Sequence, residues 1–248
     1  MDRLKGKVAI VTGAGRGISR ATAKLLAAEG ATVAVLSRTA ENVARVVADI
    51  EAAGGKALAL VCDIADPVQL KTSVDKVAAA YGRLDILVNN AFDSSAVTSS
   101  ILELSVEQLQ RNFEMGPIAY LRTMQACHPY LKASGQGRVI NFGSMAGVVG
   151  LVGYGPYNMA KEAVRALTRS AAREWGSDKI TENNVLPVAD TWGAAANNIP
   201  PPANALGRYG SPEEDIAPVV LFLASRDAQF LTGYSLTPDG GMIIDSAR

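Results

Sequence analysis

The sequence has few of the residues from which metal centres, disulfide frameworks and histidine-based catalytic sites are built. Its 248 residues contain two cysteines, Cys62 and Cys127, and a single histidine, His128. Two distant cysteines give neither a metal-ligand spacing nor a disulfide framework, so both are expected to be reduced core residues. His128 follows no nucleophile elbow, which argues against a Ser-His-Asp triad. We therefore predict no metal site and no hydrolase of that kind.

The chain also lacks an excess of charge of one sign and any long hydrophobic run. Lys and Arg balance Asp and Glu at 24 each, and 48% of the residues are hydrophobic against 19% charged. This balance excludes a nucleic-acid binder that works by bulk positive charge, and it argues against disorder. No apolar run is long enough for a signal peptide or a membrane span, so a soluble, cytoplasmic protein is expected. A small molecule or another protein is the favoured partner.

Short β-branched runs alternate with segments of helical period along the whole chain. Ile18, Ala21, Leu25 and Ala28 recur at helical spacing before Gly30, and one long helical stretch runs from about 105 to 133. The strands are mostly continuous apolar runs, which is typical of parallel strands covered on both faces. They are predicted at 7–13, 32–37, 57–63, 84–91, 137–144, 180–187 and 233–241. This alternation predicts one doubly wound α/β domain over 1–248. The Pro- and Asn-rich stretch at about 188–208 breaks it and is expected to form a lid over a substrate.

A glycine-rich turn joins the first strand to the first helix. Gly13, Gly15 and Gly17 would allow a tight turn and a close approach of the backbone to a pyrophosphate, whose charge the helix N-terminus favours. The G-x-G-x-x-G pattern fails, because its last position is Ile18. The position of the turn still predicts a dinucleotide site.

Two arginines at this end favour NADP(H) over NAD(H). Arg16 lies at a helix N-terminus, where a cation is unfavourable unless an additional anion binds nearby. Ser37 and Arg38 end the second strand, where NAD sites often have a carboxylate for the ribose hydroxyls. A guanidinium there can instead bind a 2′-phosphate. Asp63, at the end of the third strand, could contact adenine or cap the next helix, and the residues leave both readings open.

The segment GYGPYNMAKEAVRAL places Tyr157 and Lys161 four residues apart, on one face of a helix. The pair alone could be an ordinary surface contact. A tyrosine that ionises near pH 7 needs a pKa shift of roughly 3 units, or about 4 kcal/mol. An ammonium about 4 Å away at an effective dielectric constant near 20 supplies about that much. The pair could therefore handle protons.

Several segments together resemble the short-chain dehydrogenase/reductase family. They are TGAGRGI, NNA at 89–91, Ser144, YNMAK and the closing GRYGSPEEDIAPVVLFLAS…LTGYSLTPDGG. The resemblance covers essentially the whole chain. It implies a seven-stranded, mostly parallel Rossmann sheet with helices on both faces, a nicotinamide cofactor and a homotetramer.

The resemblance also implies roles for individual residues. Tyr157 would be the proton donor or acceptor, with Lys161 as its activator and as a ligand of the nicotinamide ribose. Ser144 would hydrogen-bond the substrate oxygen, and Asn112 would hold a water in the proton relay. With Asn89 as a support, the implied cofactor site comprises Thr12, Gly13, Gly15, Arg16, Gly17, Ile18, Ser37, Arg38, Asp63, Ile64, Asn90, Ala91, Tyr157, Lys161, Pro187, Val188 and Thr191.

The departures from the family pattern lie mainly at the nicotinamide and substrate end. NNAG is here NNAF, so Phe92 is expected near the nicotinamide or the substrate, and Pro187-Val188 replaces Pro-Gly. Trp192 stands where a threonine is expected, with Thr191 one position early. At the phosphate end Ser19 replaces a glycine, and Glu182 takes a strand position that is usually apolar.

An apolar pocket is expected from Phe92, Met145, Val149 and Trp192, with no cluster of Arg or Lys beside it. Such a pocket predicts NADPH-dependent, reversible reduction of a neutral, apolar ketone. Two alternatives are a 3-oxoacyl thioester reductase and an NADP-binding sensor or scaffold with weak catalytic activity.

Overall fold

Seven parallel strands form one sheet in the computed structural model, which describes residues 2–93, 98–191 and 197–244. The strands are β1 Val8–Thr12, β2 Thr32–Ser37, β3 Lys56–Val61, β4 Ile86–Asn89, β5 Arg138–Phe142, β6 Thr181–Val185 and β7 Ser235–Leu236. Their order is β3-β2-β1-β4-β5-β6-β7, and every pairing is parallel. The Rossmann sheet predicted from the sequence is confirmed.

The central strands are buried on both faces, which explains their continuous apolar runs. Every residue of β1, β4 and β5 is buried. The helices are α1 Gly17–Ala28, α2 Ala40–Ala52, α3 Pro67–Tyr81, α4 Val106–Phe113, α5 Ala119–Ser134, α6 Met145–Val149, α7 Gly155–Glu174 and α8 Ala217–Ala224. Residues of α1, α2 and α8 pack in one core cluster, and residues of α3, α5 and α7 pack in another on the opposite face. The sheet is therefore covered on both sides.

Three local features differ from the sequence prediction. The cap of α3 is Asp66, whose carboxylate accepts hydrogen bonds from the backbone N–H groups of Val68 and Gln69, so the capping reading of Asp63 is wrong. The long helix is interrupted by a π-helical turn at Glu114–Ile118. The last strand is short because the Asp239 carboxylate accepts three backbone N–H groups and folds the following residues into a turn.

The strand order places a crevice at the carboxyl ends of the central strands. β1 lies between β2 and β4. The chain continues from β1 toward one edge of the sheet and from β4 toward the opposite edge. Ligands of open α/β sheets bind outside such a switch point. No helix in the described ranges is long and apolar enough to cross a membrane.

Candidate active site

A cleft of about 770 Å³ runs along this crevice, from the glycine-rich turn to the start of α7. Nearly all residues predicted for the site line it: Gly13, Gly15, Arg16, Gly17, Ile18, Ser37, Arg38, Asp63, Ile64, Asn90, Ala91, Phe92, Ser144, Met145, Val149, Tyr157, Lys161, Pro187, Val188 and Thr191. Thr12 and Asn112 do not line it. Trp192 lies outside the described residues.

Thr12 lies behind the cleft wall. Its hydroxyl donates to the carbonyl of Val88 and accepts the backbone N–H groups of Asn90 and Ala91, at 3.0–3.3 Å. It therefore fixes the end of β4 against β1. Ser19, the departure from glycine, is also engaged, because its hydroxyl accepts the side-chain amide of Asn90. This contact between α1 and the end of β4 joins residues 71 positions apart, and no local sequence pattern predicts it.

The glycine-rich turn needs its glycines for space. A Cβ atom on Gly13 would lie 2.9 Å from the Ala91 Cα atom, and Gly13 has a φ of +68°. A Cβ atom on Gly15 would lie 2.8 Å from the Cβ atom of Asn42. Both distances are shorter than real Cβ contacts, so a side chain at either position would force the turn or its neighbour to move. The backbone is thereby left bare above the first turn of α1, where a phosphate can approach N–H groups.

The outer end of the cleft is positively charged. Arg16 and Arg38 are exposed at its mouth. Arg45, which the sequence reading missed, donates from Nη2 to the Gly15 carbonyl and to the side chain of Asn42, both at 3.1 Å. Asp63 is the single carboxylate among the described residues that line the cleft.

Tyr157 and Ser144 meet at the inner end. Ser144 follows β5 and caps α6, where its hydroxyl accepts the N–H of Ala146 at 3.2 Å. Tyr157 lies in the first turn of α7 and lines the cleft together with Ser144. Burial raises the pKa of the Tyr157 phenol, the nearby Ser144 side chain lowers it, and Tyr154 raises it; the net shift is upward.

Lys161 lies one turn further along α7 and is 3% exposed. Its ammonium donates to the carbonyl of Phe142 at 2.8 Å and to the hydroxyl of Tyr120 at 3.4 Å. Burial alone lowers the pKa of Lys161 to about 7. The expected lowering of the Tyr157 pKa by this lysine is therefore not found in the chain alone. A lysine with such a pKa is only about half charged at neutral pH, so its effect on the phenol is weakened.

Asn112 does not reach the position predicted for it. Its side-chain amide donates to the Gln108 carbonyl of the preceding turn, at 3.0 Å, and its side chain is outside the cleft wall. The π-helical turn at Glu114–Ile118 instead places Met115 in the cleft lining and Gly116 against Phe92 and Ala160. Gly116 has no side chain with which to hold a water. Placing an asparagine of the relay at Asn112 is thus a correction to the sequence reading.

Phe92 occupies the space that Gly116 leaves. A Cβ atom on Gly116 would lie 2.9 Å from Cε2 of the Phe92 ring. The ring stands edge-on to Tyr157, with their centres 5.2 Å apart and their planes at 83°. The Lys161 Nζ atom lies 4.7 Å from its centre. Phe92 is thus in contact with both residues of the pair.

The other wall at this end is mostly apolar. Besides Met145 and Val149 it includes Leu151, Tyr154, Pro202 and Met242, none of which the sequence reading had assigned.

The segment after β6 crosses above the cleft. Its Val188 N–H donates to the Pro238 carbonyl at 3.1 Å, so this N–H is already engaged. The Thr191 side chain lies over Gly17, 3.8 Å from the site of a Cβ atom there. This segment therefore covers the glycine-rich turn.

No group of three or more His, Cys, Asp or Glu side chains arranged to hold a metal ion occurs in the described part of the chain.

Comparison with known proteins agrees with this geometry. The family model described as short chain dehydrogenase matches residues 7–195. The chain is 37% identical to 12alpha-hydroxysteroid dehydrogenase of Clostridium sp., covering 98% of both chains. It is 33% identical to 3-oxoacyl-(acyl-carrier-protein) reductase FabG of Thermotoga maritima, covering 98% of this chain and 100% of that one. A solved short chain dehydrogenase of Burkholderia cenocepacia in complex with NADP superposes with a TM-score of 0.86, at 37% identity over 97% of this chain and 99% of that one. The chain belongs to the short-chain dehydrogenase/reductase family of oxidoreductases.

Proposed function

We propose that this oxidoreductase uses NADP(H) to interconvert a neutral, apolar ketone and its alcohol, with Tyr157 as the acid/base group. The observation that carries the proposal is the convergence of Ser144 and Tyr157 on the inner end of a long cleft, with the Lys161 ammonium buried one helical turn away. We treat residues 1–248 as one domain, with residues 188–208 as the lid.

The residues present fit a nicotinamide dinucleotide. The bare backbone at Gly13 and Gly15 suits a pyrophosphate at the start of α1. Arg16 and Arg38 supply guanidinium groups where a 2′-phosphate would lie, and such charge-assisted contacts favour NADP(H) over NAD(H). The solved relative from Burkholderia cenocepacia holds NADP. When bound, the cofactor supplies or accepts the hydride.

The chain's own residues would handle the proton and the substrate oxygen. The Tyr157 phenol, whose raised pKa keeps it protonated at neutral pH, would donate its proton to the oxygen during reduction. The Ser144 hydroxyl would hydrogen-bond that oxygen as negative charge develops. Lys161 would then stabilise the phenolate, since an ammonium nearby favours the charged form of a tyrosine. The Val188 N–H is bonded to Pro238, so we do not assign it to the cofactor carboxamide.

Two substrate classes compete for the inner end of the cleft. Met145, Val149 and Leu151 give an apolar wall, which favours a neutral cyclic ketone, and the relative from Clostridium sp. is named for a steroid alcohol. A 3-oxoacyl thioester is the alternative, because the relative from Thermotoga maritima is named for one. A panel of cyclic ketones and a 3-oxoacyl thioester, followed by NADPH absorbance, distinguishes them by kcat/KM.

The acid/base assignment is tested with Tyr157→Phe. This variant should bind NADPH with unchanged affinity and lose at least a thousandfold in kcat, because general acid catalysis contributes about 10²–10⁴-fold and substrate positioning is lost as well. Tyr234→Phe, at an exposed tyrosine, is the matched control and should keep wild-type turnover. Full activity of Tyr157→Phe would overturn the assignment. NADPH binding without turnover of any carbonyl by the wild type would favour the sensor alternative.

The cofactor assignment is tested with Arg38→Leu. A charge-assisted hydrogen bond contributes roughly 1.5–3 kcal/mol, so the Kd for NADPH should rise about 10- to 100-fold. The Kd for NADH should change little, because NADH has no 2′-phosphate. An equal loss for both cofactors would contradict the preference for NADP(H).

The homotetramer implied by the family stays a prediction, which light scattering of the purified protein can check.

A further inference from the structure

The Lys161 ammonium is surrounded by aromatic rings rather than by carboxylates. Its Nζ atom lies 4.7 Å from the ring centre of Phe92, 5.3 Å from that of Tyr120 and 5.7 Å from that of Tyr157. All three distances are within the range in which a cation is attracted to the face of a ring. The group of three rings is called the aromatic cage below.

The groups in contact with this ammonium come from four parts of the fold. They are Tyr157 on α7, Tyr120 on α5, the Phe142 carbonyl at the end of β5 and the Phe92 ring after β4. Burial lowers the Lys161 pKa, and no acidic side chain among the described residues raises it in compensation. A buried ammonium without a counter-ion needs other electron-rich partners to stay charged.

The Phe92 ring packs directly against a glycine, Gly116. It stands in a loop, and its Cε2 atom would lie 2.9 Å from a Cβ atom on Gly116. Any side chain at Gly116 would displace the ring from the cage. The Phe92 ring therefore fits beside Gly116 because that residue has no side chain, although the two residues lie on different elements.

We propose that Phe92 is a positioning residue for Lys161: seated in the space beside Gly116, its ring completes the aromatic cage that keeps the Lys161 ammonium charged and next to Tyr157. The effect of Phe92 on turnover rests on the proposed function. Its effect on the ionisation of Lys161 does not, and this effect is what the first test measures. It assigns to the phenylalanine of NNAF a role that its apolar character alone does not suggest.

The test measures the ionisation of Lys161 directly in the cofactor-free protein. Lysines labelled with ¹³C at Cε are titrated by NMR, and the Lys161 resonance is identified by its loss in Lys161→Met. Phe92→Leu keeps an apolar side chain but removes the ring. It should lower the Lys161 pKa by about one unit, a tenfold change in the ionisation constant, since one ring contributes about that much to a desolvated cation.

A second variant keeps the phenylalanine but changes the position of its ring. Gly116→Ala should lower the Lys161 pKa in the same direction, because its Cβ atom must push the ring away from Nζ. Phe92→Tyr keeps a ring and should keep the pKa within about 0.3 units of wild type, well below the effect of one lost ring. Phe222→Leu, at a half-buried ring of α8 outside the cleft, controls for the general effect of removing a phenylalanine and should leave the pKa unchanged.

Turnover gives an independent readout. If the ammonium is needed for reduction, the pH at which kcat falls on the alkaline side should move down by about one unit in Phe92→Leu. An unchanged or higher Lys161 pKa in Phe92→Leu overturns the proposal, whatever the activity of the protein. A lowered pKa in a protein without any carbonyl reductase activity would support the cage and overturn the proposed function instead.

Discussion

Glu182 is expected to make the protein less stable as the pH rises from 5 to 8.5. It lies in β6 with no exposed surface, and both carboxylate oxygens lack a hydrogen-bond partner among the described residues. Only its backbone is paired, through the Thr232 hydroxyl and the Gly233 N–H. Burial, with a smaller contribution from Glu174, raises the pKa of Glu182 from 4.5 to about 8.

The sign and size of the effect follow from this shift. A carboxyl whose pKa is raised by folding destabilises the native state wherever the unfolded chain would ionise, so stability falls as pH rises from about 4.5 to about 8. At 1.36 kcal/mol per pKa unit, the group costs about 1 kcal/mol at pH 5, about 3 kcal/mol at pH 7 and about 5 kcal/mol at pH 8.5. Glu182→Leu, which is similar in volume, removes this cost.

Urea unfolding of wild type and Glu182→Leu at pH 5, 7 and 8.5 measures the difference. The variant should be more stable at pH 7, and its advantage should grow by about 4 kcal/mol between pH 5 and 8.5. Glu51→Gln, at an exposed position on α2, is the control and should change stability by no more than about 0.5 kcal/mol. Parallel curves for wild type and Glu182→Leu across this pH range would refute the reasoning.

Three further predictions concern Asp85 at the start of β4, the glycine-rich turn and the buried thiol of Cys127. Burial opposes the charge of Asp85, but the Arg83 guanidinium and two further donors hold its pKa below the usual value, so Asp85→Asn should cost about 3–5 kcal/mol at pH 7. It should also abolish the part of acid denaturation that sets in as the pH falls below about 4, measured by urea unfolding at pH 7 and 3. Gly15→Ala should weaken NADPH binding about tenfold in fluorescence titrations. Its Cβ atom would lie 2.8 Å from that of Asn42, so the turn must move, and the resulting strain costs about 1–2 kcal/mol. Burial raises the pKa of the Cys127 thiol far above its ordinary value, so a disulfide reagent should label it only after unfolding, and rapid labelling of the native protein would contradict its burial.

The parts of the fold that follow local rules could be predicted from the sequence. Continuous apolar strands between helical segments predict a parallel sheet covered on both faces, and this is what the structure contains. The spacing of Gly13, Gly15 and Gly17 places a bare turn at a helix start, where it lies. Tyr157 and Lys161 share a helix face because i and i+4 always do.

The expectations for Asn112, Asp63 and the Tyr157 pKa depend on three-dimensional geometry that no local sequence pattern predicts. Asn112 has a plausible sequence context, but the π-helical turn adds a residue to the helix, and Met115 of that turn lines the cleft instead. Asp63 and Asp66 are equally good caps by residue type, and only the start of α3 at Pro67 decides between them. The lowering of the Tyr157 pKa was expected from a charge at about 4 Å, whereas burial of the lysine itself weakens that charge.

The departures from the family pattern bear on whether the protein is an enzyme or a sensor. Loss of function would leave changed positions without compensation, since nothing would select their neighbours. Here Ser19 is hydrogen-bonded to Asn90, and the Val188 N–H is bonded to the Pro238 carbonyl. Phe92 fits only because Gly116 has no side chain, and it contacts the ammonium that the chemistry would use. Changes that are accommodated one by one around a cleft that still holds Ser144, Tyr157 and Lys161 favour an altered pocket for a particular ketone over a site that has decayed.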